Sequence, residues 1–202
     1  MAPLANLKNL RWLALRGTKV NNAGVAHIAN LTKLKYSSLN GVQISDSGMV
    51  HLAKLTKLNK LRLDGAKITN VGVQYLAKLK NLEFLGLNET LITGAGLVHL
   101  LKLTKLKELW LHRSKVTDAG LVHIGKLKQL QLLAHGSTKV GDVGVAHLAN
   151  LTNLKVLGLD YTQVGDAGIA HLMRLKKLKV LSVKYTKVTE AGLAKFNRRP
   201  LK

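Results

Sequence analysis

No cysteine occurs anywhere in the 202 residues. Disulfides, thiolate metal sites, iron–sulfur clusters and thiol catalysis are excluded at once. The absence fits a reducing compartment, and a cytoplasmic location is the favoured expectation. Proline is almost missing as well, at two residues, and there is no long polar run. Nothing marks a linker, so residues 1–202 read as one domain. No apolar run is long enough to cross a bilayer, and no membrane span is expected. The first residues, MAPLANLKNLRW, lack the apolar centre and small-residue cleavage site of a signal peptide. Acids are scarce, 10 against 32 lysines and arginines, for a net charge of +22. Such an excess favours an anionic partner: nucleic acid, an acidic surface or an acidic protein. No phosphate-binding loop, nucleophile elbow or H-E-x-x-H pair occurs. Neither an enzyme nor a cofactor or metal site is expected.

What the chain does have is a period. Glycines fall at 24, 48, 72, 96, 120, 144, 168 and 192, and leucines at Leu10, Leu34, Leu58, Leu82, Leu106, Leu130, Leu154 and Leu178. Both series keep the same constant step, and it divides the chain into eight units. Counting each of those leucines as position 1, positions 1, 4, 6, 11, 16, 19 and 22 are apolar. The exceptions are Ser37 at position 4, His135 at position 6 and Arg199 at position 22. Residues 3 to 7 alternate as a half-buried strand does, and positions 16, 19 and 22 recur as one face of a short helix does. Strands pack at ~4.8 Å and helices at about 8–10 Å, so a stack of such units curves with its strands inside.

The unit, L-x-x-L-x-L-x-x-T-x-V-x-D-A-G-L, resembles the leucine-rich repeat signature, with threonine where many members carry asparagine or cysteine. The T-D-A-G-L stretch is similar to the repeats of ribonuclease-inhibitor-like and F-box-associated proteins, and most of all to bacterial repeat proteins carrying T-x-V-T-D-A-G-L. The likeness runs from Leu4 to about Phe196. It implies an α/β fold: a curved, right-handed solenoid of eight units, with parallel strands on the concave face and short helices on the convex face. It also implies a binding function on the concave face.

Position 13 is mostly Asp or Asn: Asn22, Asp46, Asn70, Asp118, Asp142 and Asp166. It reads as the helix N-cap. Glycine at position 15 costs about 1 kcal/mol in a helix, so close approach of neighbouring backbones is the expected reason for it. The histidine column His27, His51, His99, His123, His147 and His171 repeats too often to be an active site. Its members are also too far apart, at helix spacing, to chelate one ion. Packing or surface display is expected. Thr18, Thr90, Thr138, Thr162 and Thr186, with Ser114, fill position 9, and their hydroxyls are expected to bond loop backbone of the adjacent unit.

Function should lie where the units differ, at the concave positions 3, 5, 7 and 8. Of the eight aromatic residues, six fall there: Trp12, Tyr36, Phe84, Trp110, Tyr161 and Tyr185. The core needs none of them. With Arg62, Asp64, His112, Arg113 and Asp160, they are the candidate surface for a protein ligand, since Trp, Tyr and Arg are the usual interface anchors. A second candidate is the edge formed by positions 21, 23, 24 and 2, which carries 19 of the 32 basic residues. Lys54, Lys57, Lys78, Lys102, Lys105, Lys126, Lys128 and Lys177 are its candidate polyanion contacts. No aromatic lies among them to stack bases. Five further lysines at position 10 (Lys19, Lys67, Lys115, Lys139 and Lys187) line the other edge. The leading expectation is a monomeric, non-enzymatic protein-recognition module. The alternatives are polyanion binding through the lysine edge, or a structural segment of a longer array, since neither end carries a distinct polar cap.

Overall fold

The computed structural model of the chain describes residues 2–198. Arg199, the expected core exception of the last unit, lies outside them. Each unit contributes a three-residue strand at positions 3 to 5: β1 (Trp12–Ala14), β2 (Tyr36–Ser38), β3 (Lys60–Arg62), β4 (Phe84–Gly86), β5 (Glu108–Trp110), β6 (Leu132–Ala134), β7 (Val156–Gly158) and β8 (Val180–Ser182). All pair in parallel and in chain order, forming one eight-stranded sheet. The register advances by one whole unit per strand, from Trp12 to Tyr36 to Lys60 to Phe84 and onward. Like therefore stacks on like, and each apolar position becomes a continuous column. Leu34, Leu58, Leu61, Leu63, Leu85, Leu109 and Leu133 are all fully buried.

Return segments run as short helices. Asn22–Ile28, Asp46–Leu52, Asn70–Leu76, Asp118–Ile124, Asp142–Ala146, Asp166–His171 and Glu190–Asn197 are α-helical, whereas Gly94–Lys102 winds as a 3-10 helix. Their outward positions 14 and 17 carry no charge in any unit, and Val50, Val71, Val98, Val122 and Val143 are exposed there.

Three local readings are corrected. The helix cap sits one residue earlier than expected, at position 12. Asn21 accepts from the Gly24 N–H at 3.1 Å, and Thr69 and Thr189 cap in the same way. Position 13 is instead the first helical residue, and it reaches into the next unit. Asn22 accepts from the amide of Ser45, Asp46 from Thr69, Asn70 from Thr93, Asp118 from Gly141, Asp142 from Gly165 and Asp166 from Thr189, at 2.6–3.0 Å. Asp46 and Asp166 also accept from the threonine hydroxyls. The Thr189 hydroxyl and amide together hold the Asp166 carboxyl below the usual carboxylate range. The column is a ladder that bolts unit to unit.

The glycine column follows from this. A Cβ on Gly48 would sit 2.6 Å from Asn22 Oδ1, and one on Gly72, Gly144, Gly168 or Gly192 would overlap Asp46, Asp118, Asp142 or Asp166. In those units the glycine clears the side chain of position 13, and at Gly144 and Gly168 the backbone beneath it as well, 2.9 Å from Asp118 Cα and 3.2 Å from Asp142 Cα. The expected backbone contact is tightest where position 13 is itself glycine. A Cβ on Gly120 would lie 2.8 Å from Gly94 Cα.

The position 9 threonine hydroxyls bond within their own unit, not the next, and the buried Ser114 Oγ has no protein partner at all. Thr18, Thr90, Thr138, Thr162 and Thr186 donate to the carbonyl three residues earlier at 2.6–2.7 Å. They close the turn that follows position 8. That turn needs a positive φ: Gly17, Gly41 and Gly65 supply it at 65–76°, but Glu89, Arg113, Ser137, Tyr161 and Tyr185 adopt 53–57°. A left-handed conformation costs an L-residue about 1–2 kcal/mol. Ser137→Gly is therefore expected to raise stability by about 0.5–1 kcal/mol, after the extra chain entropy of glycine is subtracted. A lower denaturation midpoint for that variant would refute the account.

Candidate functional site: the aromatic concave face

The six concave aromatics come together as three contacting pairs. Trp12 and Tyr36 are register partners on β1 and β2, and their rings stack at 3.7 Å and 15°. Phe84 and Trp110 meet edge to face at 5.5 Å. Tyr161 and Tyr185, at successive position 8 turns, stack at 4.5 Å and 18°. The turn is what brings the tyrosines to the rim, since a left-handed residue projects outward from the strand end. The Tyr161 phenol is pushed above its ordinary pKa, first by desolvation and then by Tyr185.

The central pair has a specific cause. Arg62, Gly86 and Trp110 are consecutive register partners on β3, β4 and β5. Gly86 has no side chain, so the Asp64 carboxylate packs over it, 2.9 Å from where a Cβ would stand, and Arg62 and Trp110 meet across the middle strand. The Arg62 guanidinium carbon lies 5.0 Å from the Trp110 ring centre and 5.5 Å from that of Phe84. Both are cation–π distances. Arg62 is held in turn by Asp64, Nε to Oδ2 at 3.2 Å. This packing corrects one expectation. Phe84 is not an accessible anchor, because it is only 8 % exposed beneath Arg62 and Trp110. Trp110 is half-buried, and its Nε1 has no hydrogen-bond partner within the protein. Trp12, Tyr161 and Tyr185 are open, at 64 %, 56 % and 73 % exposure.

The charged candidates fall into two groups. Asp64 and Asp160 belong to a second ladder, at position 7. Asn40 accepts from the amide of Asp64, Asp64 from Asn88, Asn88 from His112 and Asp160 from Lys184, at 2.7–3.2 Å. Asn40 and Asn88 were not singled out from the sequence. Their signal was the recurrence of Asn and Asp down one column. Ser182 also donates to Asp160 at 2.7 Å. These carboxylates therefore hold strand ends together while facing the concave side. Arg113 and Glu89 form an exposed pair at 3.3 Å on the rim. His112 is half-buried and lines a hollow with Arg16, Asn40, Arg62, Asp64 and Glu89. The glycines at position 8 of the first three units leave that hollow open.

On the lysine edge all eight candidate contacts are exposed. Lys105 donates to Asn81 and Lys177 to Asn153, both at 2.8 Å, and Lys128 donates to the Gly125 carbonyl at 2.9 Å. In the histidine column, His51, His99 and His123 are half-buried, and His27, His147 and His171 are exposed. Ser37 and His135 are fully buried in the core, with Ser37 Oγ and His135 Nε2 unbonded. Among the described residues no helix is long and apolar enough to cross a membrane.

Comparison with known proteins agrees with this architecture. The family model for the leucine-rich repeat matches residues 54–77, the length of one unit. No curated protein sequence matches the chain. Among solved structures, the chain is similar to an internalin (inlF) of Listeria monocytogenes, with a TM-score of 0.83 and 29 % identity over 99 % of this chain. It is similar as well to internalin C2 of that organism, with a TM-score of 0.79 and 29 % identity over 95 % of this chain and 79 % of the other. The chain spans 56 % of the length of the first of these. With its eightfold period, parallel sheet and helical returns, the chain has the architecture of a leucine-rich repeat solenoid and is similar to bacterial internalins.

Proposed function

We propose that residues 1–202 act as a single monomeric recognition domain that binds a partner protein on the concave face. Leucine-rich repeat folds commonly serve protein recognition and are typically not enzymes. The observation that carries the reading is the gathering of six of eight aromatic residues into three pairs on one face. Exposed aromatic surface outside any core requirement favours binding. Trp12, Tyr161 and Tyr185 are the open anchors, half-buried Tyr36 backs Trp12, and Trp110 over Phe84 is the central one. Arg62, Arg113 and His112 supply charge and donors, while Asp64 and Asp160 add acceptors already fixed by their ladder.

A photo-cross-linking residue placed at Trp12, and in a second variant at Val143 on the convex face, tests this in a source proteome. Proteins captured from Trp12 and not from Val143 are expected, and equal capture from both faces would count against the reading. With a captured partner, Trp110→Ala is expected to weaken binding by about 2 kcal/mol, roughly 30-fold, as hot-spot truncation does. Unchanged affinity would remove Trp110 from the site.

A further inference from the structure

We propose that the lysine-rich edge is a binding strip for double-stranded nucleic acid, which it holds by the phosphates without reading sequence. The nineteen basic residues at positions 21, 23, 24 and 2 are all exposed. Glu83 is the one acid at those positions, and it is already taken: Lys107 donates to it at 2.7 Å and, with Lys105 and Lys60 nearby, holds its carboxyl below the ordinary range. Units repeat at about 5–10 Å, inside the Debye length of about 8–10 Å, so cations stacked unit on unit repel one another. An anionic partner of matching length relieves that repulsion.

The shape of the patch selects the partner. It is a strip with two uncharged or mixed flanks. On the convex side, helix positions 14 and 17 carry no charge in any unit. On the concave side, aromatics lie among charges of both signs, Asp64, Glu108 and Asp160 with Arg16, Lys60 and Arg62. Eight strands at ~4.8 Å make its strand side roughly 34 Å long, about one turn of B-form DNA. A strip of this kind suits a rod laid along it. A membrane, being a plane, would also press on the uncharged flank. A single strand is disfavoured because no aromatic side chain stands at any of the four positions to stack its bases. The neutral residues between the lysines are Asn, Gln and Thr, which contact phosphate readily. Some lysines are also held in place, Lys33 on Asn9, Lys105 on Asn81 and Lys177 on Asn153.

The test is a titration of a labelled, mixed-sequence duplex of about two turns, at 50 and 200 mM salt. Engagement of six or more phosphates is expected to weaken affinity by about 10³-fold or more between the two salts. Two variants with the same change in net charge locate the site. Lys54, Lys78, Lys102 and Lys126→Glu should weaken binding at 50 mM salt by about 100-fold or more, and Lys19, Lys67, Lys115 and Lys139→Glu on the opposite edge by less than about tenfold. If the glutamate variants fold poorly, the glutamine versions make the same comparison. Absence of binding at 50 mM, equal loss from both edges, or tighter binding to single strands or to phosphatidylserine vesicles would overturn the proposal.

Discussion

Gly144→Ala is expected to destabilise the protein by about 2–3 kcal/mol, although alanine in an open helix is favoured by about 1 kcal/mol over glycine. The sign is decided by the neighbouring unit. The added Cβ would overlap Asp118 Oδ1 and lie 2.9 Å from Asp118 Cα. The carboxylate cannot simply swing away, because it accepts from the Gly141 amide at 2.7 Å. Moving it leaves a part-buried N–H unbonded, a loss of about 1–3 kcal/mol. Holding it forces the two helices apart and opens the core beneath Leu121 and Val145, which are fully buried. Asp118→Ala removes the same bond from the other side and should cost about 1.5–3 kcal/mol, as for other hydrogen bonds to charged groups. The two changes are coupled through one contact, so the double variant should lose less than the sum of the singles. Chemical denaturation of the four proteins reads this directly. Strict additivity, or a more stable Gly144→Ala, would show that the glycine column has another cause.

That column also shows where sequence legibility ends. The core was legible because burial repeats with the periods of strand and helix, and those periods lie within a single unit. The strand positions 3 to 5 and the buried columns through Leu61, Leu85 and Leu109 follow from that alone. The two ladders were not legible in the same way, because their partners lie a whole unit further along the chain. Asp118 looks like a local helix cap until its bond to Gly141 is seen. Even so, a signal was present. Position 13 carries a side chain in every unit but the fourth, and Gly94 there marks the place where backbones meet instead. The turn at position 8 was announced by Gly17, Gly41 and Gly65 and then concealed by Glu89, Arg113, Ser137, Tyr161 and Tyr185. The concave aromatics were legible as columns, but their pairing was not. It took Gly86, whose missing side chain makes room for the Asp64 carboxylate that holds Arg62, to let Arg62 and Trp110 meet beside Phe84 and bury it.

Between pH 7 and pH 4 the protein is expected to lose about 3 kcal/mol of stability through one residue, His135. Position 6 carries leucine in the flanking units, Leu111 and Leu159, and His135 takes that place with no exposure. Its Nδ1 lies 3.4 Å from Thr138 Oγ1, whose proton goes to the His135 carbonyl, and its Nε2 has no partner. Burial disfavours the charged ring and lowers its pKa from 6.5 to about 4. The sign follows from proton counting. As pH falls through 6.5 the unfolded chain takes up a proton that the folded chain refuses until about pH 4. Stability from this residue is therefore full above pH 6.5 and is lost progressively down to pH 4, at about 1.4 kcal/mol per unit. Asp166 and Glu83, whose carboxyls are held low, add their own losses at more acidic pH. The comparison with His135→Leu isolates the histidine, because those carboxylates are common to both proteins. At pH 7 the leucine variant is expected to be more stable by about 1–2 kcal/mol, since it removes an unbonded buried nitrogen. The gap should widen to about 4–5 kcal/mol by pH 4, where burial of the charged ring opposes folding in the parent alone. Guanidinium denaturation at pH 7.5, 5.5 and 4.5 measures the gap. Parallel pH curves for the two proteins would mean that water reaches His135 and that its column is not closed.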